Sequence, residues 1–253
     1  MTTIGPTFIT DSFTDVSGTN LSAHVGELGA TWAKNVAGST GDVKISSGGS
    51  IYHAVGINGS FYYASGASGA DYQVIATVAQ LSAAPTGIAD VLARCSTVAD
   101  TRYGARYSSV APTGWSLYKT VNGVAAALGA AFNETIAVGS MRSVILEVSG
   151  TSITLYVDGT SRISVADSAI ALAGRAGISI ATVAGAKADG TNGLALDSFT
   201  VKDLDSTSTA TVVTITTTVT TTLTSIPAWV TPSAASSSWN APSGASTPWS
   251  TLA

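Results

Sequence analysis

Short runs of alternating apolar and polar residues, separated by two-residue turns, run through residues 1–205. Residues 151–157, TSITLYV, place three apolar side chains on one side of an extended chain, because the side chains of a strand alternate between its two faces. Asp158-Gly159 follows directly, and both positions tolerate the positive φ of a type I′ hairpin turn. Asn122-Gly123 is a second such turn after residues 115–121. The pattern predicts antiparallel β-structure.

Further strands are predicted where β-branched and apolar runs lie between glycines. They cover residues 71–81, 91–96, 142–148, 161–165, 175–183 and 194–204. No helical stripe stands out, and the strongest exception is residues 124–132, VAAALGAAF, where we predict at most a turn of helix. Many short strands joined by regular turns favour a β-sandwich or a barrel.

Charge is scarce in this chain, and its distribution excludes several classes of protein. Charged residues make up 10% of the sequence and hydrophobic residues 45%, whereas an ordinary soluble domain is roughly 25% charged. The net charge of −4 creates no field that attracts nucleic acid or an anionic membrane.

Residues 1–10 have neither a basic start nor an apolar core, so we expect no signal peptide. Nor is there an apolar stretch of about 18 residues, so we expect no membrane span.

All charged residues lie at or before Asp205, and the remaining 48 residues carry none. We therefore predict two parts: a β-sandwich in residues 1–205 and an extended Thr/Ser/Pro-rich tail in residues 206–253. The single cysteine, Cys95, cannot form an intrachain disulfide. It lies in an apolar run, and we interpret it as a small buried residue.

The tail combines an extended amphipathic segment with regularly spaced tryptophans. Residues 211–225, TVVTITTTVTTTLTS, alternate with period 2, which predicts a strand with one apolar face that needs a partner. Tryptophan is enriched at binding hot spots, so we interpret the tail as a docking segment. The alternative is a free, flexible, O-glycosylated tail. The predicted docking residues are Val213, Ile215, Val219, Leu223, Trp229, Trp239 and Trp249.

Three segments together resemble a known fold family. The opening D-S-F-T at residues 11–14 is followed by G-T-N-L at residues 18–21 and then by Trp32. Residues 146–159, LEVSGTSITLYVDG, form a core hairpin, and residues 196–201, LDSFTV, form a closing strand. Over residues 8–204 the sequence resembles the concanavalin A-like lectin/glucanase jelly roll, in its laminin-G-like branch. The resemblance implies an antiparallel jelly-roll β-sandwich.

In that family the first and last strands usually pair, which would bring Asp11 and Phe13 close to Asp197 and Phe199. One interpretation places both phenylalanine rings in the core, with both carboxylates facing solvent or capping turns. The other makes Asp11 and Asp197 ligands of a structural calcium ion, since carboxylate oxygens suit Ca²⁺. No other cofactor is expected.

Glucanases of this fold carry their catalytic carboxylates in an E-x-D-x-(x)-E pattern on one strand, where the acid and the nucleophile share a face. The three glutamates here, Glu27, Glu134 and Glu147, are far apart in sequence. His24 and His53 are isolated from cysteines and acidic residues, so neither a zinc site nor a catalytic triad is predicted. We therefore predict that the protein is not an enzyme.

One basic group is a candidate binding site. Arg94, Arg102 and Arg106 fall on a predicted hairpin, with Tyr103 and Tyr107 interleaved. Aromatic rings stack on pyranose faces, and guanidinium groups donate paired hydrogen bonds, so this group suits a sugar or a protein surface. The alternative is a solvated sheet face on which the arginine stems pack against the tyrosine rings.

A small lectin-like sandwich with an uncharged, Trp-containing tail also looks like a bacteriophage virion component. We predict a decoration, fibre or tail-associated protein, made in the host cytoplasm, whose partners are other virion proteins, its own copies and a glycan on the host surface. A stand-alone carbohydrate-binding module is the alternative, and a polysaccharide hydrolase is the third hypothesis.

Overall fold

The computed structural model describes residues 3–35, 37, 41–55, 60–64, 69–182 and 188–205. Within these ranges the chain forms fifteen strands and one turn of 3-10 helix, Leu21–Ala23. The strands are β1 (Thr3–Asp11), β2 (Trp32–Lys34), β3 (Asp42–Ile45), β4 (Ser50–Val55), β5 (Ser60–Ala64), β6 (Tyr72–Gln80), β7 (Gly87–Cys95), β8 (Arg102–Ser108), β9 (Gly114–Val121), β10 (Val124–Asn133), β11 (Ser140–Ser149), β12 (Ser152–Val157), β13 (Thr160–Ala166), β14 (Arg175–Thr182) and β15 (Leu194–Asp205). None of the helical segments in this part of the chain could cross a membrane.

The strands form two antiparallel sheets. The eight-stranded sheet has the order β13-β12-β11-β6-β15-β4-β3, and β1 also pairs with β15. The seven-stranded sheet has the order β10-β9-β8-β7-β14-β5-β2. The two sheets enclose a single main cluster of buried apolar residues to which both contribute. This arrangement confirms the predicted β-sandwich and is consistent with a jelly roll.

Both predicted hairpin turns are present. Asp158 and Gly159 have φ values of 49° and 74°, and Asn122 and Gly123 have φ values of 48° and 83°. Positive φ at both central positions is the signature of a type I′ turn, whose twist matches that of the strands on either side. These turns fix the β12–β13 and β9–β10 hairpins.

The prediction of a helical turn at residues 124–132 is wrong. The segment is strand β10, which pairs with β9 from Val124 opposite Val121 to Asn133 opposite Gly114. The preceding turn at Asn122-Gly123 starts the ladder, and the ladder hydrogen bonds override the helical preference of the alanines. A register shift between Leu128 and Phe132 includes Gly129, with a φ of 71°.

Burial follows the period-2 pattern on which the strand predictions depended. In β11, Val144, Leu146 and Val148 are fully buried, whereas Ile145 and Glu147 are only partly buried on the opposite face. Burying a large aliphatic side chain stabilises a fold by about 1.5–3 kcal/mol, so this face fixes the register. Cys95 is also buried, as expected, and burial raises the pKa of its thiol.

Strand β1 pairs with the second half of β15, from Thr3 opposite Asp205 to Asp11 opposite Phe199, with two register shifts. This confirms that the first and last strands of the sandwich are neighbours. Phe13 and Phe199 are fully buried, as the first interpretation predicted, and their rings lie 5.9 Å and 4.9 Å from that of Trp32.

The structural description ends with β15, at Asp205. The predicted division into residues 1–205 and 206–253 therefore stays a prediction. The predicted docking residues lie outside the described residues: Val213, Ile215, Val219, Leu223, Trp229, Trp239 and Trp249.

Candidate functional site

Strand β8 places two arginines on the side of the seven-stranded sheet that faces away from the core. Tyr103 and Tyr107 are fully buried in the core, so Arg102 and Arg106 project from the opposite face. Their cross-strand neighbours on that face come from β7 and β9. We call this surface the Arg–Tyr face; it consists of Asp90, Leu92, Arg102, Gly104, Arg106, Ser116, Tyr118 and Thr120.

The expectation that Tyr103 and Tyr107 form part of a binding surface is wrong. The Tyr103 hydroxyl donates to Asp167 at 2.6 Å, and the Tyr107 hydroxyl accepts from the backbone N–H of Ile136 at 2.9 Å. Desolvation by burial, followed by the bond to Asp167, raises the pKa of Tyr103 to about 12. Adjacent residues of a strand point to opposite faces, so these tyrosines cannot interleave with Arg102 and Arg106.

Arg94 does not belong to the Arg–Tyr face either. It is 2% exposed, and its guanidinium donates to the backbone carbonyls of Ala70, Ile170 and Gly150 at 2.8–3.0 Å. A longer contact of 3.3 Å reaches Asp71. These bonds tie together three loops at one end of the sandwich. The prediction of Arg94 as a ligand-binding residue is therefore corrected to a structural role.

The centre of the Arg–Tyr face is a hydrogen-bonded group that spans three strands. Asp90 on β7 is fully buried and accepts two bonds from Arg106 on β8, at 2.7 and 2.8 Å. Tyr118 on β9 donates its hydroxyl to Asp90 at 2.7 Å. The Arg106 guanidinium lies 4.5 Å from the centre of the Tyr118 ring, a cation–π arrangement. The group holds Arg106 in one orientation, with a third of its side chain open to solvent.

The electrostatics of this group follow from burial and from the Asp90 charge. The Asp90 carboxylate raises the pKa of Arg106 further above its ordinary value, so the guanidinium stays charged. Desolvation by burial, followed by the Asp90 charge, raises the pKa of the Tyr118 hydroxyl. Tyr118 is therefore a neutral donor at physiological pH.

Gly104 provides the space in which the Tyr118 ring lies. A Cβ atom at position 104 would be 2.4 Å from the Cε1 atom of Tyr118, far inside van der Waals contact. The ring therefore crosses the backbone of β8 and reaches Asp90. Glycine within a strand often marks such a close approach. Gly104 is therefore the feature of the sequence that could have indicated a role for Tyr118.

A second ion pair lies on the same face. Arg102 contacts Asp100, and its guanidinium carbon is 4.4 Å from the centre of the Phe61 ring. A cavity of about 340 Å³ lies beside both ion pairs. Its wall includes Arg102, Arg106 and Tyr118, together with Ala125 and Ala127 of β10. The structure thus brings together Arg102 and Arg106, two of the five predicted residues, and adds Asp90, Asp100 and Tyr118.

The carboxylates of this face are arranged for holding arginines. Both oxygens of Asp90 accept hydrogen bonds from Arg106 or Tyr118, and Asp100 is paired with Arg102. Glycoside hydrolysis by two carboxyl groups needs a proton donor and a second carboxylate that acts on the sugar or on water. The positioned guanidinium groups and hydroxyls suit the recognition of a polar ligand.

The three glutamates also have structural partners, and they lie on different elements. Glu27 accepts from the backbone N–H of Ser12 at 2.9 Å. Glu134 accepts from the indole of Trp115 and from Arg142, both at 2.7 Å. Glu147 accepts from Gln73 at 2.6 Å on the eight-stranded sheet.

The suggestion of a calcium site at Asp11 and Asp197 does not fit the structure. Asp11 lies opposite the buried Phe199 and accepts from the Trp32 indole at 2.6 Å, so it points towards the core. Asp197 lies opposite Thr77, whose neighbours in β6 face the core, so it points the other way. Across the described ranges, no three His, Cys, Asp or Glu side chains are grouped as metal ligands.

His24, which the sequence left isolated, is buried beside two carboxylates. Its Nε2 lies 2.9 Å from Asp11 and its Nδ1 lies 3.0 Å from Asp15. His53 is also buried, with its Nδ1 3.0 Å from the Thr182 hydroxyl. Both side chains are hydrogen-bonded, and the expectation that His24 is isolated from acidic residues is wrong.

Comparison with solved structures matches this fold at low sequence identity. An endo-acting O-glycanase from the human gut microbiota aligns with a TM-score of 0.54 and 11% identity, over 79% of this chain and 100% of that one. The β-glucanase of Bacillus licheniformis aligns with a TM-score of 0.51 and 13% identity, over 78% and 98%. A glycosyl hydrolase family protein from Mycobacterium fortuitum gives 0.51 and 10%, over 78% and 99%.

The sandwich has the concanavalin A-like fold. That confirms the fold to which the sequence motifs pointed. No protein-family model and no curated protein matches the sequence. Because the matched structures include glycoside hydrolases, they give no support to the expectation that this chain is not an enzyme. At 10–13% identity they show the fold alone.

Proposed function

We propose that the sandwich is a non-catalytic carbohydrate-binding module whose ligand lies on the Arg–Tyr face. The observation that carries this proposal is the pair of Arg–Asp contacts beside one cavity, Arg106 with Asp90 and Arg102 with Asp100. The aspartates hold the guanidinium groups in place and are themselves occupied. Fixed guanidinium donors bind sugar hydroxyls without supplying the free carboxyl pair that hydrolysis needs. The cavity, of about 340 Å³, falls within the size range of small-ligand sites.

Filling the cavity tests this proposal without disturbing the ion pairs. Ala127 is exposed and lines the cavity, whereas Ala131 is exposed on the same strand outside it. We expect Ala127→Trp to abolish binding to the glycans that the wild type retains in a screen of bacterial and plant polysaccharides. Ala131→Trp, the matched control, should leave that binding intact. Equal binding by both variants would place the ligand elsewhere, and a screen without any bound glycan would contradict the proposal.

The hydrolase hypothesis makes a different prediction in the same screen. A hydrolase releases new reducing ends from a polysaccharide that it binds, whereas a binding module does not. We expect no reducing sugar to appear during prolonged incubation with each retained glycan. If reducing sugar is released, and its release is lost in Asp90→Asn, Glu134→Gln or Glu147→Gln, the protein is an enzyme and not a binding module.

We further propose that the module is part of a bacteriophage virion, as a decoration, fibre or tail-associated protein. The sequence of residues 206–253 favours this second function, because it has no charged residue, a period-2 apolar pattern and three tryptophans at ten-residue intervals. Such a segment suits docking to other virion proteins or to copies of itself. Replacing Trp229, Trp239 and Trp249 together by Ala should abolish oligomerisation or incorporation into particles and leave the melting temperature of the sandwich unchanged. Unaltered assembly would contradict a docking tail.

A further inference from the structure

A second cavity lies at one end of the sandwich, beside the loops that follow β7 and precede β14. It has a volume of about 520 Å³ and includes Ser96, Thr101, Leu172 and Arg175 in its wall. Of the described residues that line it, two are arginines and none is acidic. We call this cavity the Arg175 cleft. Its wall mixes apolar and polar residues, and its positive charge suits a negatively charged ligand.

Arg175 is the arginine of the cleft whose guanidinium has no ion-pair partner among the described residues. Its Nη1 atom is buried without a hydrogen-bond partner, and Arg175 takes part in none of the ion pairs among the described residues. The other arginine of the cleft, Arg94, already donates from Nε, Nη1 and Nη2. Arg175 as a whole is only partly buried, but arginine cannot lose its proton in a protein, and a buried N–H group without an acceptor is costly. An anion at Nη1 would therefore recover interactions that the free protein lacks.

The Arg175 cleft adjoins the Arg–Tyr face. Asn122 lines the cleft and Gly123 lines the cavity of the face, so the β9–β10 turn borders both. Likewise, Thr101 lines the cleft and its neighbour Asp100 lines the cavity of the face. An oligosaccharide that lies on the face would therefore reach the cleft with a neighbouring sugar. Leu172, 82% exposed at the cleft, offers an apolar contact to the C–H face of such a sugar.

We infer that the Arg175 cleft is a subsite for the anionic group of an acidic sugar, a carboxylate or a sulfate ester, which Arg175 binds. The planar fork of a guanidinium matches either oxyanion with paired hydrogen bonds. The inference deepens the proposed function and rests on it, because it names acidic glycans as the ligand class of the same module.

Titration with small sugars tests the cleft directly. The full chain is titrated with sodium glucuronate, glucose 6-sulfate, glucose and inorganic sulfate, and binding is followed by NMR of the backbone amides and the arginine side chains. We expect at least one of the two acidic sugars to bind and to shift the signals of Arg175, and glucose to bind about tenfold more weakly or not at all. Which acidic sugar binds identifies the anion. Inorganic sulfate bound as tightly as both acidic sugars would overturn the assignment to a sugar.

Two variants that lose the same charge complete the test. Arg175→Gln should weaken binding of the acidic sugar about tenfold or more, whereas Arg162→Gln should leave it unchanged, since Arg162 is exposed on β13 and packs on Phe132. Equal affinities of the two variants would overturn the inference. If neutral glycans still bind in that case, and Ala127→Trp removes them, the proposed function stands while the acidic subsite fails. Loss of acidic-sugar binding in Arg175→Gln alone would support the subsite even if Ala127→Trp had no effect on polysaccharides.

Discussion

Gly104 determines where Tyr118 lies, and through it how Arg106 is held. A Cβ atom at position 104 would overlap the Tyr118 ring at 2.4 Å, so Gly104→Ala should push the ring away from Asp90. The lost Tyr118–Asp90 hydrogen bond should lower the free energy of unfolding by about 1–3 kcal/mol and weaken glycan binding. Urea denaturation and glycan titration measure the two effects.

A double-mutant cycle provides the control for this prediction. With Tyr118 already replaced by Ala, the added methyl group at position 104 has no ring to displace. Gly104→Ala should then cost little further stability. A cost of the same size in both backgrounds would mean that backbone conformation, and not the ring, accounts for the effect.

His24 makes the stability of the sandwich depend on pH. Burial alone disfavours the imidazolium and lowers the pKa of His24, but its hydrogen bonds to Asp15 and Asp11 outweigh burial and raise the pKa above its ordinary value. A raised pKa in the folded state adds stability that is fully present below the unfolded pKa of about 6.5. That stability is lost as the pH rises through the folded pKa. The urea concentration at the unfolding midpoint should therefore decrease as the pH is raised from 6 to 9.

The matched variant for this prediction is His24→Gln, which keeps hydrogen-bonding capacity without titrating. Its urea midpoint should be lower than that of the wild type at pH 6, and it should change less across the same range. A wild-type midpoint that stays flat or rises above pH 6.5 would contradict a protonated His24 between the two carboxylates.

In strand β11 the two faces differ in burial, as the period-2 pattern of the sequence predicts. Leu146 is fully buried and its neighbour Ile145 is on the opposite face. Leu146→Ala should cost about 2–5 kcal/mol, because it leaves a cavity between the two sheets. Ile145→Ala, the matched control, should cost less than half as much. Chemical denaturation of both variants measures the difference, and a reversed order would mean that the two faces are assigned wrongly.

The sequence predicted the strands and turns better than it predicted the residues of the candidate site. Type I′ turns at Asn122-Gly123 and Asp158-Gly159 depend on local backbone preferences, so they could be predicted. The Arg–Tyr face depends on three strands whose register is set by the whole sheet. Nothing near Arg106 in sequence identifies Asp90 as its partner. The same limit explains the error at Tyr103 and Tyr107. They are adjacent in sequence to Arg102 and Arg106, but the side chains of adjacent residues in a strand point to opposite faces of the sheet.

The division of the chain after Asp205 is a prediction that a shortened protein can test. A chain ending at Asp205 should fold by itself, because it retains β15, which pairs with both β6 and β1. We expect β-type circular dichroism and a cooperative melt close to that of the full chain. A soluble full chain with an insoluble or molten shortened form would show that residues after 205 belong to the core.

The pairing of β1 with β15 also has a mechanical consequence. Thr3 lies opposite Asp205 in an antiparallel pair, so a force that separates these two ends would load the inter-strand hydrogen bonds one after another. Bonds opened in sequence resist far less than bonds sheared together. If the sandwich is held at Asp205 alone, a force between that end and a ligand on the Arg–Tyr face does not pull Thr3 and Asp205 apart.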